Sequence, residues 1–101
     1  MDYNEIPGIT LKMIIDSGII NPDTIVYASV NHQITGVINS DGSITLNHDH
    51  QPKTYPFPSG AARSIVKTST NGWLFWKILE DDQYRSLSYY KNEYQKLQEK
   101  I

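Results

Sequence analysis

The largest side chains of this chain are confined to one short segment. Both tryptophans and both phenylalanines of the 101-residue sequence lie between Phe57 and Trp76. A domain of this size buries roughly two-thirds of the surface that its unfolded chain exposes, so it needs a few large apolar side chains to complete its core. The segment therefore predicts the centre of the core, with Phe57 and Trp76 anchoring a helix against a sheet.

Composition narrows the class of protein. The chain is 39% hydrophobic and 20% charged, which is typical of one globular domain, here residues 1–101. Its formal net charge of −2 excludes nucleic-acid binding through a broad positive surface and leaves only a local basic patch. The absence of cysteine excludes disulfides and thiolate chemistry. The longest apolar runs are too short to span a bilayer, and the N-terminal stretch lacks the layout of a signal peptide. We expect a cytoplasmic protein without a membrane partner.

Turn signals divide the first half of the chain into a helix and strands. Thr10 can cap a helix over residues 11–17, which Gly18 ends. Asp41-Gly42 predicts a hairpin because this dipeptide accepts the positive φ of a tight turn. Strands are predicted over residues 25–30, 34–39 and 43–47.

The second half is predicted to contain two helices and one strong strand. A helix over residues 60–67 follows Ser59, and residues 73–79 form the strand. A C-terminal helix is predicted over residues 84–101. The predicted fold class is α+β: an antiparallel sheet of about four strands, two short helices and a longer C-terminal helix.

Signals for catalysis and metal binding are weak. His48-Asp49-His50 offers ligand types for a first-row metal, but adjacent ligands in one loop chelate poorly and no further pattern completes a site. The sequence contains no nucleophile elbow, zinc-protease motif or phosphate-binding loop. Glu80, Asp81 and Asp82 crowd one turn, where they would end a strand. We therefore expect a protein that is not an enzyme and that holds no metal and no cofactor.

The predicted helix start at Ser59 has two interpretations. Unpaired backbone N–H groups at a helix N-terminus favour an anion, and the small Gly60 would let a phosphate approach the backbone. Arg63 and Lys67, spaced i and i+4, would add positive charge together with Lys53. In the other interpretation, Ser59 only caps the helix and Gly60 permits close packing.

The predicted strand over residues 73–79 has two different faces. One face is wholly apolar and is expected to lie against the helices; it carries Leu74, Trp76 and Ile78. The other is expected to be partly exposed and carries Trp73, Phe75, Lys77 and Leu79. Rings beside a cation can stack on an unpaired base, each stack contributing about 1–3 kcal/mol. They could equally bind an apolar peptide or form a second layer of core.

The C-terminal helix carries an apolar seam with helical spacing. The seam consists of Leu87, Tyr90, Tyr94, Leu97 and Ile101. It either packs on its own domain or contacts a partner, which could be a second copy of the chain.

Two motifs carry a family resemblance. They are residues 57–62, FPSGAA, and residues 71–76, NGWLFW. With them the chain resembles the RAMA domain, the restriction enzyme and adenine methylase associated domain. Residues 11–23 match the family's first stretch, with Asp23 where the family favours glycine, and Gly60 replaces the usual alanine. The resemblance covers about residues 8–90, and the most specific part is the pair of tryptophans three apart after Asn-Gly.

The resemblance implies a non-catalytic module, usually fused to methylases, nucleases or a metalloprotease and thought to recognise DNA that carries methylated adenine. The implied binding region is the Ser59 helix start and the Trp73 to Trp76 strand. The expected partners are DNA, or a methylase, a nuclease or another protein, or a second copy of the chain. The alternative function is that of an interaction or dimerisation adaptor acting through the C-terminal helix. The predicted nucleic-acid-binding residues are Ser59, Gly60, Arg63, Lys67, Trp73, Phe75 and Lys77.

Overall fold

One antiparallel sheet carries the fold, and the helices that pack on it share one of its faces. The structure is a computed structural model that describes residues 9–47 and 51–99. The helices in these residues are α1 (Leu11–Asp16), α2 (Pro58–Val66), α3 (Gly72–Phe75) and α4 (Leu87–Glu99). The strands are β1 (Ile25–Ala28), β2 (Asn31–Ile38), β3 (Ile44–Leu46), β4 (Lys53–Tyr55), β5 (Trp76–Glu80) and β6 (Gln83–Ser86). None of these helices is long and apolar enough to cross a membrane.

The α+β class is confirmed, but the predicted number of strands is wrong. Within the described residues the sheet has six strands in the order β4-β3-β2-β1-β5-β6, where about four were predicted. The two additional strands, β4 and β6, are the edge strands. β4 was missed because it is polar and is flanked by Pro52 and Pro56, which an edge strand tolerates.

The other missed strand follows an unusual turn. Asp81 and Asp82 both adopt left-handed backbone conformations, with φ of 53° and 64°. Two successive positive φ values are typical of a tight hairpin turn, and the chain therefore folds back on β5 as β6. The sequence carries no glycine at this turn to reveal it. The predicted C-terminal helix consequently begins at Leu87 rather than near Tyr84.

Local signals in the first half are confirmed. The Thr10 hydroxyl oxygen accepts a hydrogen bond from the Met13 amide at 3.2 Å and caps α1. The hairpin between β2 and β3 turns at Asp41-Gly42, where Gly42 has a φ of 88°. The Ser43 hydroxyl donates to Asp41 at 2.6 Å, and this bond, together with the Ser43 amide, lowers the pKa of the Asp41 carboxyl.

One family difference has a structural explanation. Asp23 stands where the resembled family favours glycine, and its φ is 70°. Glycine adopts this left-handed conformation without steric cost, and aspartate is among the side chains that tolerate it best. The departure from the family pattern therefore keeps the backbone shape that the pattern requires.

The core lies between the sheet and the helices. Side chains from every described helix and from the four strands β1, β2, β3 and β5 form one buried cluster, against which Tyr55 of β4 packs. Val26, Ile38 and Ile44 line the sheet side, and Trp76 is the largest side chain that is wholly buried. The prediction that Trp76 anchors the core is therefore confirmed.

Candidate nucleic-acid interface

The start of α2 is joined to the start of α3 by a hydrogen bond. α2 begins at Pro58, whose ring is suited to the first helical position, so Ser59 lies inside the helix. The predicted capping role of Ser59 is therefore wrong. Its hydroxyl oxygen instead accepts a hydrogen bond from the Gly72 amide at 3.0 Å. The two sequence motifs meet at this point.

The same contact is reinforced by a tryptophan and a glycine. The Trp76 indole Nε1 donates to the Pro58 carbonyl oxygen at 3.0 Å in the buried interior. A Cβ atom on Gly72 would overlap the backbone of Pro58 and Ser59, so only glycine fits there. We call the contact of the α2 start with the α3 start and with the first residue of β5 the α2–α3 junction; its residues are Pro58, Ser59, Gly72 and Trp76.

The predicted exposure of two rings is wrong. Trp73 and Phe75 are only 2% and 5% exposed. Residues 72–75 form a helical turn and not a strand, so side chains there follow the helical period instead of alternating. The Lys91 ammonium lies 4.5 Å from the centroid of the Trp73 ring, and Phe75 packs edge-on against Trp76 at 4.8 Å. As folded, neither ring presents a face on which a base could stack.

Two expected core residues are exposed instead. Leu74 was expected to face the helices, but it is 55% exposed because the helical turn places it away from the core. Phe57 was expected to anchor α2, but it is 66% exposed. Phe57 occupies the N-cap position, where the backbone is still extended and the residue lies outside the helix.

A cleft lies on the other side of α2, between this helix and β4. It has a volume of about 310 Å³. Gly60, Ser64 and Lys67 share the α2 flank that faces β4, as their spacing of four and then three residues requires. Lys67 ends the helix in a left-handed conformation with a φ of 63°. The residues that line the cleft are Leu46, Gln51, Pro52, Lys53, Tyr55, Ser64 and Lys67.

The charge lining this cleft is positive. Lys53 and Lys67 come from separate segments, and no described carboxylate lines the cleft with them. The Lys53 ammonium lies 5.5 Å from the centroid of the Tyr55 ring. Arg63 is exposed on α2, four residues before Lys67, and extends the positive charge along the helix. Of the predicted binding residues, Lys67 lines the cleft and Gly60 lies beside the Tyr55 ring, whereas Arg63 is exposed on the same helix next to Ser64.

Lys77 lies apart from the cleft, on the outer face of the sheet. Its cross-strand neighbour on β1 is Tyr27. The Tyr27 ring meets Tyr84 edge-on at 5.3 Å, and Tyr84 stacks on His32 at 3.9 Å. This outer aromatic group is separated from the β4–α2 cleft by the thickness of the sheet and by several strands.

Comparison with known families identifies the chain. A family model described as Restriction Enzyme Adenine Methylase Associated, RAMA, matches residues 4–100. The chain belongs to the RAMA family. Comparison with curated proteins gives no match. The match extends beyond the predicted residues 8–90 at both ends, so α4 is part of the RAMA domain and not an addition to it.

The helix α4 packs mainly on its own RAMA domain. Leu87, Tyr90 and Tyr94 are buried in the core, whereas Leu97 is 43% exposed and Ile101 lies outside the described residues. The predicted partner seam is therefore not an exposed surface along its length.

Two polar contacts fix α4. The Tyr90 hydroxyl donates to Glu80 on β5 at 2.9 Å, and burial, followed by this hydrogen bond, raises the Tyr90 pKa. The Lys91 side chain is buried, with its ammonium group over the Trp73 ring. These contacts tie α4 to the sheet and to α3.

The sequence signals for a metal site remain without structural support. His48, Asp49 and His50 lie outside the described residues. In residues 9–47 and 51–99 no group of three or more His, Cys, Asp or Glu side chains is arranged to hold a metal ion.

The cleft residues Gln51, Tyr55 and Ser64 were not predicted as site residues. Little in the sequence points to them, because a short polar edge strand and one helix flank become neighbours only through the pairing of β4 with β3. Gly60, Ser64 and Lys67 are spaced four and then three residues apart, which places them on one flank of the helix. This spacing is the one sequence feature that could have indicated a helix flank lying against another element.

Proposed function

We propose that this RAMA domain is a non-catalytic DNA-binding module that reads adenine-methylated DNA. The family name associates it with restriction enzymes and adenine methylases, whose substrate is DNA. The observation that carries the proposal is the β4–α2 cleft, where Lys53 and Lys67 converge beside the Tyr55 ring. Cations can bind the phosphates of a nucleic acid, and a neighbouring aromatic ring can stack on its bases.

In this proposal the lysines position the DNA backbone. Lys53 and Lys67 at the cleft and Arg63 on α2 each contact a phosphate, while the rest of the surface contributes little because the net charge is −2. Binding through only two or three phosphates gives a modest dependence on salt, with a slope of log K against log salt of about −2 to −3. The affinity of the isolated domain is therefore expected to be moderate and best measured at low salt.

The α2–α3 junction has a different part in the proposal. Ser59, Trp73 and Phe75 support α2 from within and do not touch DNA, because their contacts are internal. Lys77, on the outer face of the sheet, is not part of the proposed interface. Arg63, Lys67 and Gly60 are the predicted residues that the proposal retains.

The test is a titration of labelled duplexes at several salt concentrations. Duplexes with methylated or unmethylated adenine in one sequence are compared by fluorescence anisotropy. Replacing Lys53 and Lys67 together with alanine is expected to weaken binding at least tenfold and to reduce the salt slope by about 2.

The matched control replaces Lys12 and Lys96, which lie on other helices and pair with Asp16 and Glu93. This control removes the same formal charge but is expected to leave the salt slope unchanged. Equal losses in the two double variants, or no binding of either duplex at low salt, would contradict DNA binding at the cleft. Equal affinity for both duplexes would contradict only the recognition of methylated adenine and would leave DNA binding at the cleft standing.

A further inference from the structure

The β4–α2 cleft is larger than phosphate binding requires. At about 310 Å³ it lies at the lower end of the range for small-molecule sites, and it corresponds to about ten water molecules. A phosphate held by two exposed lysines needs no cavity of this size. We infer that the cleft takes a single nucleotide unit, with a purine base inside and its phosphate at the lysines. This inference rests on the proposed function and names the part of the DNA that enters the cleft.

The apolar lining suits the faces of a base. Leu46 is buried at the cleft, Pro52 borders it, and the Tyr55 ring is half-buried. The Tyr55 backbone is held by its pairing with Ile44 in the sheet, and a Cβ on Gly60 would stand 4.0 Å from the ring. A half-buried ring on a paired strand can stack on a base.

The polar lining suits the edge of an adenine. The Ser64 hydroxyl donates its proton to the Ala61 carbonyl at 2.7 Å, so toward a ligand it can act only as an acceptor. An exocyclic amine, which keeps one N–H after a single methylation, supplies the matching donor. Gln51 lines the same cleft, and a glutamine amide can both donate to and accept from adenine.

The charges place the phosphate at the mouth of the cleft. Lys53 and Lys67 are exposed, and neither forms an ion pair within the described residues. The Lys53 ammonium, which lies 5.5 Å from the Tyr55 ring centroid, sits on a flexible side chain that an incoming base can displace. To reach the cleft from a duplex, the base must leave the helix stack.

The experiment uses deoxyadenosine monophosphate, its N6-methyl form and deoxyadenosine as probes, with binding followed by NMR chemical shifts of the whole chain. Both nucleotides are expected to shift the signals of Gln51, Tyr55 and Ser64, and the nucleoside is expected to bind more weakly. Tyr55→Leu and Gln51→Ala are each expected to weaken nucleotide binding about fivefold or more. The controls are Tyr84→Leu on the outer sheet face and Gln98→Ala on α4, which should bind as the unchanged protein does.

A second measurement separates this inference from DNA binding itself. In a bound duplex, extrusion of the adenine exposes the opposite thymine to permanganate oxidation. Lysine-dependent DNA binding without that reactivity, and with no effect of Tyr55→Leu or Gln51→Ala, would overturn the nucleotide cleft and leave the proposed function standing. Nucleotide binding at the cleft without duplex binding would overturn the proposed function, and with it the inference that the cleft takes a nucleotide of DNA. Failure of both probes to bind would overturn both.

Discussion

The two sides of α2 differ in what their side chains contact: one side bonds to the protein interior, and the other faces an open cleft. At the α2–α3 junction, Ser59 accepts from a partly buried backbone amide and Trp76 donates to a buried backbone carbonyl. Gly72 allows the two helix starts to touch. At the cleft, Lys53 and Lys67 extend from exposed positions around a cavity. One side holds the helix in place, and the other offers groups that a ligand could use.

The comparison separates the residues that mark the family from those that carry the proposed chemistry. The motifs FPSGAA and NGWLFW supply all four junction residues, where loss of a side chain or of the Gly72 space would leave a polar group unpaired or the backbone overpacked. The cleft is lined by residues that stand outside these motifs, including Lys53, Tyr55 and Lys67. If this division is correct, changes at the junction should cost stability, whereas changes at the cleft should cost binding.

The largest expected effect is that of Gly72→Ala. The new Cβ would overlap the backbone of Pro58 and Ser59, which cannot move without separating the two helices. We expect the free energy of unfolding in urea to fall by about 3 kcal/mol or more. The control is Gly60→Ala on the cleft side, where only the Tyr55 ring lies near, at 4.0 Å, and where alanine should stabilise the helix by up to about 1 kcal/mol. Similar effects of the two variants on the free energy of unfolding would contradict the distinction between a structural junction and a cleft that contributes little to stability.

Trp76→Phe is expected to have the next largest effect. Phenylalanine keeps much of the apolar volume but leaves the Pro58 carbonyl without its buried donor. The expected loss in the free energy of unfolding is about 1–3 kcal/mol, measured by the same denaturation. Leu74→Ala, in the neighbouring turn but exposed, should change stability by no more than about 0.5 kcal/mol. A tolerated Trp76→Phe would mean that the hydrogen bond contributes little to the junction.

Ser59→Ala tests the junction hydrogen bond between Ser59 and Gly72. The Gly72 amide would lose its acceptor, and we expect a loss of about 1 kcal/mol in the free energy of unfolding. Ser64→Ala is the matched change on the cleft side of the same helix. The Ser64 hydroxyl bonds only within its own helix among the described contacts, so alanine should be neutral or slightly stabilising. The comparison fails if Ser64→Ala is the more damaging change.

The smallest expected effect on stability belongs to the cleft lysines. Lys53→Ala and Lys67→Ala should each change the free energy of unfolding by less than about 0.5 kcal/mol, since neither lysine is paired with a described carboxylate. Their thermal denaturation should follow that of the unchanged protein even where DNA binding is lost. A large loss of stability in either variant would show that the cleft is a structural element.

Local chemistry decided which elements the sequence could predict. Thr10 and Asp41-Gly42 carry their own turn and cap signals, so α1 and the β2–β3 hairpin were confirmed. The turn at Asp81 and Asp82 uses left-handed conformations without glycine, so β6 was not predicted. Residues 72–75 read as the beginning of a strand, although they form a helical turn, because an all-apolar run shows no clear period.

The candidate site was harder to predict than the fold. Arg63 and Lys67 could be chosen as an i, i+4 pair on a helix, and both lie on the proposed interface. Trp73 and Phe75 were chosen because large rings beside a lysine can stack on bases, but the helical turn buries them. The cleft itself depends on the pairing of β4 with β3. Neither segment carries a sequence signal that predicts this pairing.

The strand that forms one wall of the cleft is also the shorter of the two edge strands. β4 has three residues and pairs with β3 on one side only. Short edge elements open locally at a free energy well below that of global unfolding, and their amide hydrogens then exchange with solvent. A ligand that joins β4 to α2 must suppress this opening. The exchange rate of the β4 amides should therefore report occupancy of the cleft directly, without a label on either protein or ligand.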